Sequence, residues 1–182
     1  MQQIVFVRNV NVGQRGHPST ADLVGAFADA GFADAGSFQS NGTLVVEWET
    51  DAGTGASAGP AAEVLELAMQ ALAARTGLER EAFAVPSDDL VRILAADATG
   101  PAWDRRELTL HGGGVIDSAA PAVTREAAHR RCRIVSSGLG WTVLENERDR
   151  ESNATPVIER VTGGPATSRG FPTLQRLLGR LA

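Results

Sequence analysis

One order of predicted elements, β-α-β-β-α-β and then a helix, is written twice along these 182 residues. Few architectures accept that order. The ferredoxin-like arrangement does, with an antiparallel sheet and two helices on one face. In the first copy the apolar run Ile4-Val5-Phe6-Val7 predicts a buried strand over residues 3–8. Ser19 can cap a helix, with Asp22 placed as the acid of a capping box. Leu23, Phe27 and Ala30 then repeat at helical spacing, and Gly31 is a suitable stop. Ser37-Phe38-Gln39 reads as a short strand. Asn41-Gly42 is the strongest hairpin signal, and Thr43 to Glu49 alternates as the partner strand. Asp51 to Gly59 is rich in Gly, Ala and Ser and reads as a flexible loop. Pro60 fits the first turn of a helix that buries Val64, Leu65, Ala68 and Leu72. Phe83-Ala84-Val85 is a strand stopped by Pro86, and Ser87 or Asp88 caps a helix carrying Leu90, Val91, Ile93 and Leu94.

The second copy follows the same plan. Strands are expected at Glu107–Leu110, Cys132–Val135, Trp141–Leu144 and, as a short strand or extended link, residues 165–168. Helices are expected over residues 121–130, 154–162 and 171–181, the last with Leu174, Leu177, Leu178 and Leu181 on one stripe. The fold class expected is α+β: two ferredoxin-like halves, 1–86 and 87–182, each followed by a helix.

Composition narrows the function classes. A net charge of −5 and a pI near 5.2 argue against broad nucleic-acid binding, which depends on neutralising phosphates. All 17 cations are arginine, so Schiff-base chemistry and a phosphate-loop lysine are excluded. No apolar run approaches the roughly 20 residues that span a bilayer. The N-terminus lacks the pattern of a secretion signal. The single cysteine, Cys132, cannot form an internal disulfide, and the expected location is the cytoplasm.

Several motifs fall short of a chemistry. Gly53, Gly55 and Gly59 nearly spell a dinucleotide fingerprint, but the spacing is one residue too long and the preceding strand belongs to a hairpin. His111-Gly112-Gly113-Gly114 looks like a lipase oxyanion loop, yet no G-x-S-x-G elbow supplies the serine, so a plain turn is expected. His17, His111 and His129 form no H-x-x-x-H pair; surface histidines and no metal or cofactor are expected. Cys132 reads as a small buried apolar group. Arg125, Arg130, Arg131 and Arg133 offset a helix dipole more simply than they bind phosphate. Glu145 to Glu151 reads as a solvated loop of mixed charge. Phe6 and Trp48 occupy positions where RNA-binding ferredoxin-like modules stack bases, but Glu47 and Glu49 flank Trp48 and favour core packing.

What remains is a set of polar groups at element ends: Arg8, Asn9, Asn11, Gln39, Ser40, Asn41 and Arg169. Arginine forks bind carboxylate or phosphate, and amides read a neighbouring donor or acceptor. The same stretches carry a family resemblance. Arg8-Asn9-Val10-Asn11-Val12-Gly13 resembles the R-G-I-N-V-G opening of bacterial domain-of-unknown-function family 1697. Gln39-Ser40-Asn41-Gly42 resembles its Q-S-G-N element with the last two residues exchanged, and Thr167 to Thr173 resembles its T-x-R-N-W-x-T. Arg8, Asn11, Gly13, Gln39, Ser40, Arg169 and Thr173 match that pattern, while Asn9, Asn41, Gly42, Gly170 and Phe171 depart from it. Relatives often carry Ser-Lys near Ser152-Asn153, where this chain has no lysine. The resemblance implies a cytoplasmic α+β protein of ferredoxin-like halves and supplies no activity.

The function expected is binding of a small anionic ligand, a metabolite or nucleotide, at a polar site between the halves. Arg8 and Arg169 would be the anion forks, with Asn11, Gln39, Ser40 and Asn41 as orienting groups. No nucleophile or general base is identifiable. The alternative is an RNA- or protein-binding module without catalysis. Neither a membrane partner nor a particular oligomeric state is indicated.

Overall fold

The computed structural model describes residues 1–48, 59–97, 100 and 102–181. The glycine-rich stretch 51–58, and with it the near-fingerprint at Gly53 and Gly55, lies outside the described residues. The chain divides into two compact units, Met1–Ser87 and Asp88–Ala182.

The first unit runs β1 (Gln2–Val7), α1 (Thr20–Asp29), β2 (Gly36–Phe38), β3 (Thr43–Glu47), α2 (Gly59–Thr76) and β4 (Ala82–Pro86). Its sheet has the order β2-β3-β1-β4, with β1 antiparallel to both neighbours. That central position explains the unbroken apolar run: Ile4, Val5, Phe6 and Val7 are all fully buried. Val5, Val7, Leu44 and Val46 pack with Leu23, Ala26 and Phe27 of α1 and with Ala68 and Leu72 of α2. Helix α1 starts as its sequence dictates. Ser19 Oγ accepts the Asp22 amide at 3.1 Å, while Asp22 Oδ2 accepts the Ser19 amide at 2.9 Å.

Helix α3 (Ser87–Asp97) follows. The second unit then continues through a 3-10 turn at Trp103–Arg105, β5 (Arg106–His111), α4 (Pro121–His129), β6 (Cys132–Gly138), β7 (Trp141–Asn146), α5 (Ala154–Thr162), β8 (Ala166–Gly170) and α6 (Phe171–Leu181). Its sheet order, β6-β7-β5-β8, repeats the first. Both units are therefore ferredoxin-like βαββαβ folds, each followed by a helix. Val123, Ala127, Val157 and Ile158 of α4 and α5 pack with Cys132, Leu144 and Ala166 of the sheet.

Strand β8 runs on to Gly170, which puts Arg169 inside the sheet, and the β6–β7 pair also differs from expectation. Strand β6 continues to Gly138 rather than ending at Val135, because Ser136, Ser137 and Gly138 pair with Val143, Thr142 and Trp141 after a register irregularity. Strand β7 extends to Asn146, so Glu145 and Asn146 leave the expected solvated loop and become ladder residues. The Trp141 ring lies across Gly138, where a Cβ would come within 2.3 Å of it.

The β2–β3 turn depends on one glycine. Gly42 has φ +72°, and a Cβ there would lie 2.7 Å from Val10 Cβ and 2.9 Å from the Val7 carbonyl. Gly42→Ala is expected to destabilise the first unit by about 1–3 kcal/mol through overpacking and a disfavoured backbone. Urea denaturation read on Trp48 checks it, and an unchanged midpoint would contradict the packing described.

Candidate functional site

The first β-strand ends where two polar turns meet. Val7 N donates to Gly42 O at 2.8 Å, and Val12 N donates to Ser40 O at 2.6 Å. These bonds set the 8–13 turn against the 39–42 turn, although residues 14–38 separate them in the chain. Arg8, Asn11, Gln39, Ser40 and Asn41 thus stand on neighbouring turns of the first unit. Asn11, Gln39 and Ser40 are exposed, and Asn41 is half-buried. Two non-glycine residues hold left-handed backbones here, Asn9 at φ 53° and Gln39 at φ 57°. Asparagine adopts this conformation readily; for a residue such as glutamine it costs about 1–3 kcal/mol, and such strain clusters at functional sites. The Asn11 amide donates to His17 Nδ1 at 3.1 Å, closing the loop on itself.

Arg8 is tied to the first residues before β4. Its amide donates to Glu81 O at 2.8 Å, and Nη1 donates to Glu81 Oε2 at 3.2 Å. Both side chains are partly exposed, so this ion pair is screened by solvent. Arg169 belongs to the second unit. It lies in β8 opposite Leu108 and is only 9% exposed. Its Nη1 donates to Thr167 Oγ1 at 3.0 Å and to Ser168 O at 2.8 Å. Burial pulls its pKa down to about 10, which leaves the guanidinium charged at neutral pH.

The second unit holds polar chemistry that pattern reading missed. All six residues of β5 are buried, among them Glu107, Thr109 and His111 on one face. The residues paired with Glu107 and His111, Leu144 and Ala166, belong to the core under α4 and α5. Glu107 is satisfied there. Oε1 accepts from Ser152 Oγ at 2.6 Å, and Oε2 accepts from Asn146 Nδ2 at 2.9 Å and from the Ala154 amide at 3.3 Å. Asn153, at the N-cap of α5, supplies no side-chain cap, so the carboxylate from β5 does that work on the positive end of the helix. Thr109, Ser168 and Thr155 form a hydroxyl chain at 2.8 and 2.7 Å. A charged residue inside a strand pattern was the one signal that could have drawn attention to this face.

Other motifs settle into structural roles. His111 is 3% exposed, a correction to the expected surface histidine: it ends a central strand and bonds Thr142 Oγ1 at 3.0 Å through Nε2. Phe6 is fully buried, and Trp48 packs edge-on to Phe32 with centroids 5.9 Å apart, so both are core residues. Arg130, Arg131 and Arg133 pair with Glu126, Glu151 and Glu145 at 2.6, 2.8 and 3.1 Å. The mixed-charge segment is therefore not simply solvated, since Glu145 also holds the buried Arg106 at 3.2 Å. Among the described residues, no cluster of three His, Cys, Asp or Glu side chains could hold a metal ion. Nor is any helix among them long and apolar enough to cross a membrane.

An antiparallel βαββαβ unit repeated with a trailing helix defines an α+β protein of two ferredoxin-like halves. Residues 1–131 match the family described as protein of unknown function, DUF1697, and the chain belongs to that family. Among solved structures it is similar to a conserved bacterial protein from Streptococcus pneumoniae, 15% identical, with a TM-score of 0.57 and 98% of each chain covered. That likeness is one of fold. No curated protein matches the sequence.

Two outcomes follow from these environments. Glu107→Ala leaves the three donors of a buried carboxylate, Ser152, Asn146 and the Ala154 amide, without that acceptor and should destabilise the second unit by about 1–3 kcal/mol. Chemical denaturation followed through Trp141 measures it, and a change within 0.5 kcal/mol (about the surface-mutation range) would contradict the capping role. Burial, with Glu107 and Glu147 acting in the same direction, pushes the Cys132 thiol up to about 11. At pH 7.5 a thiol reagent should therefore label Cys132 only as fast as the protein opens, and rapid labelling of the native chain would be inconsistent with that burial.

Proposed function

We propose that this protein binds a small anionic ligand, a metabolite or nucleotide, at the paired turns that follow β1 and β2, as a bacterial cytoplasmic protein. Arg8 is the anion fork, and Asn11, Gln39, Ser40 and Asn41 are the orienting groups. The observation that carries the proposal is the pair of left-handed backbones at Asn9 and Gln39. They lie on two turns that are cross-bonded and present polar side chains outward. Strain held by surrounding hydrogen bonds is what a preorganised site requires. Glu81 holds Arg8 Nη1 through one contact at 3.2 Å with both side chains partly exposed, so a bound anion has to displace or share that screened pair. No nucleophile beside a general base stands among these residues, and the role proposed is recognition rather than catalysis. Arg169 is retained as a further candidate anion group with a variant of its own.

The test is thermal shift and calorimetric titration with inorganic phosphate, citrate and nucleoside monophosphates. Stabilisation by at least one compound is expected. Arg8→Ala should weaken that binding roughly 10- to 100-fold, the loss of a charge-assisted hydrogen bond. Arg169→Gln is read beside it. If no compound stabilises the protein, the ligand class is wrong; if Arg8→Ala binds like wild type, the site is wrong.

A further inference from the structure

Strand β5 ends on His111, and the chain that leaves the strand passes over the ring. Nε2 stands 3.0 Å from Thr142 Oγ1, Thr142 Oγ1 is 3.3 Å from Ser137 Oγ, and Ser137 Oγ accepts the Ile116 amide at 2.9 Å. A line of hydroxyls thus joins the imidazole to the far end of the loop that follows it. The other ring nitrogen, Nδ1, is buried and has no hydrogen-bond partner. A Cβ placed on Gly113 would lie 3.2 Å from Nδ1 and 3.0 Å from Thr162 Cγ2. The space over Nδ1 is therefore closed by glycine backbone.

A neutral imidazole has one N–H and one lone pair; an imidazolium has two N–H donors. The Nε2–H has an acceptor in either case. Thr142 can take it and pass its own proton to Ser137, which is 3.4 Å from the Trp141 carbonyl. With Thr142 at Nε2 and nothing at Nδ1, the neutral ring carries its proton on Nε2, and the charged ring gains an Nδ1–H with nothing to accept it. A buried donor without a partner, on a buried cation, is a state that the fold relieves by opening.

We propose that His111 is an acid-operated latch for the Gly112–Gly114 segment: a second proton on the ring lifts that segment off Nδ1 so that water can accept the new N–H. Charged groups on the surrounding elements do not offset the cation. On α5, Glu159 Oε1 accepts the Ala166 amide at 3.4 Å, and Arg160 is exposed. In the loop, Asp117 Oδ1 accepts the Ala119 amide at 2.9 Å. On β5, Glu107 is held by Ser152, Asn146 and Ala154. Glu145 of β7 and Arg169 of β8 pair with Arg106 and Leu108, on the opposite face of the sheet.

The direction of the pH dependence follows from linkage. Burial lowers the His111 pKa from its ordinary 6.5, with the Trp141 carbonyl working against the shift. The open form therefore binds more protons than the closed one. The latch is fully closed above about pH 6.5 and opens as pH falls from there through the lowered value, by up to about tenfold per pH unit.

Hydrogen exchange of the full chain between pH 7.5 and 5, corrected for intrinsic exchange rates, reads this directly. Exchange at Gly112–Ile116 should rise below pH 6.5 while Val143 in β7 stays protected. In His111→Gln the same amides should lose the pH dependence. Should that variant fail to fold, an NMR titration of the wild-type ring decides: ring protonation and loop exchange must share one midpoint. A flat wild-type profile, a profile kept in His111→Gln, a ring that titrates without loop exchange, or exchange rising equally at Val143 would each overturn the latch.

Discussion

A strand paired on both edges and buried on both faces has nowhere to send a polar side chain except to a partner. Strands β1 and β5 both meet that constraint and answer it differently. In β1 the four residues Ile4 to Val7 are apolar and fully buried, and ordinary packing suffices. In β5 the alternate positions Glu107, Thr109 and His111 are polar, and each must find hydrogen bonds within the core. A buried group left unsatisfied costs about 1–3 kcal/mol. Three such positions on one strand would cancel much of the roughly 5–15 kcal/mol by which a domain is stable. Asn146 from β7, Ser168 from β8, Ser152 and the Ala154 amide meet that demand for Glu107 and Thr109, whereas His111 is met by Thr142 at Nε2 and left without a partner at Nδ1.

Replacing such a network by apolar residues of similar volume is often close to neutral for stability. Its effect is on specificity. A one-residue slip of β5 would turn Glu107 away from Ser152 and Ala154 and carry Leu108 into their place. The carboxylate therefore fixes both the register of the central strand and the docking of α5, which has no side-chain cap of its own. The two units share a topology but put their polar chemistry in different places. The first keeps it on exposed turns. The second keeps it inside, where Ser152, Asn146, Thr109, Ser168 and Thr155 are spent on one another and on Glu107.

Periodicity made most of the fold legible. The apolar run at Ile4–Val7, the Ser19–Asp22 box and the leucine stripe of Phe171–Leu181 are local signals with local causes. Ser136-Ser137-Gly138 has no strand propensity, and only its pairing with Trp141–Val143 makes it a strand. His111 and Glu107 look like surface residues because residue type carries their ordinary preference. Burial is conferred by what the rest of the chain packs over them. The candidate site divides in the same way. Turn chemistry announces Asn11 and the Gln39–Gly42 segment, whereas nothing local in Thr167-Ser168-Arg169-Gly170 signals that Arg169 lies inside a sheet.

The paired turns hold a tension that packing alone does not require. Asparagine enters the left-handed region readily, so Asn9 at φ 53° is an easy choice. Glutamine lacks the short side chain that makes this conformation cheap, yet Gln39 occupies it at φ 57°. Glycine there would relieve the strain and keep the turn. The strain persists because the bonds Val7 N–Gly42 O and Val12 N–Ser40 O, together with Val10 lodged against Gly42, over-determine the backbone on both sides. Arg131 and Arg150 hold the same conformation at φ 57° and 64°, so the chain places long polar side chains there at other turns as well. The Gln39 amide stands exposed, beside Ser40 and within the same cross-bonded pair of turns as Arg8 and Asn11.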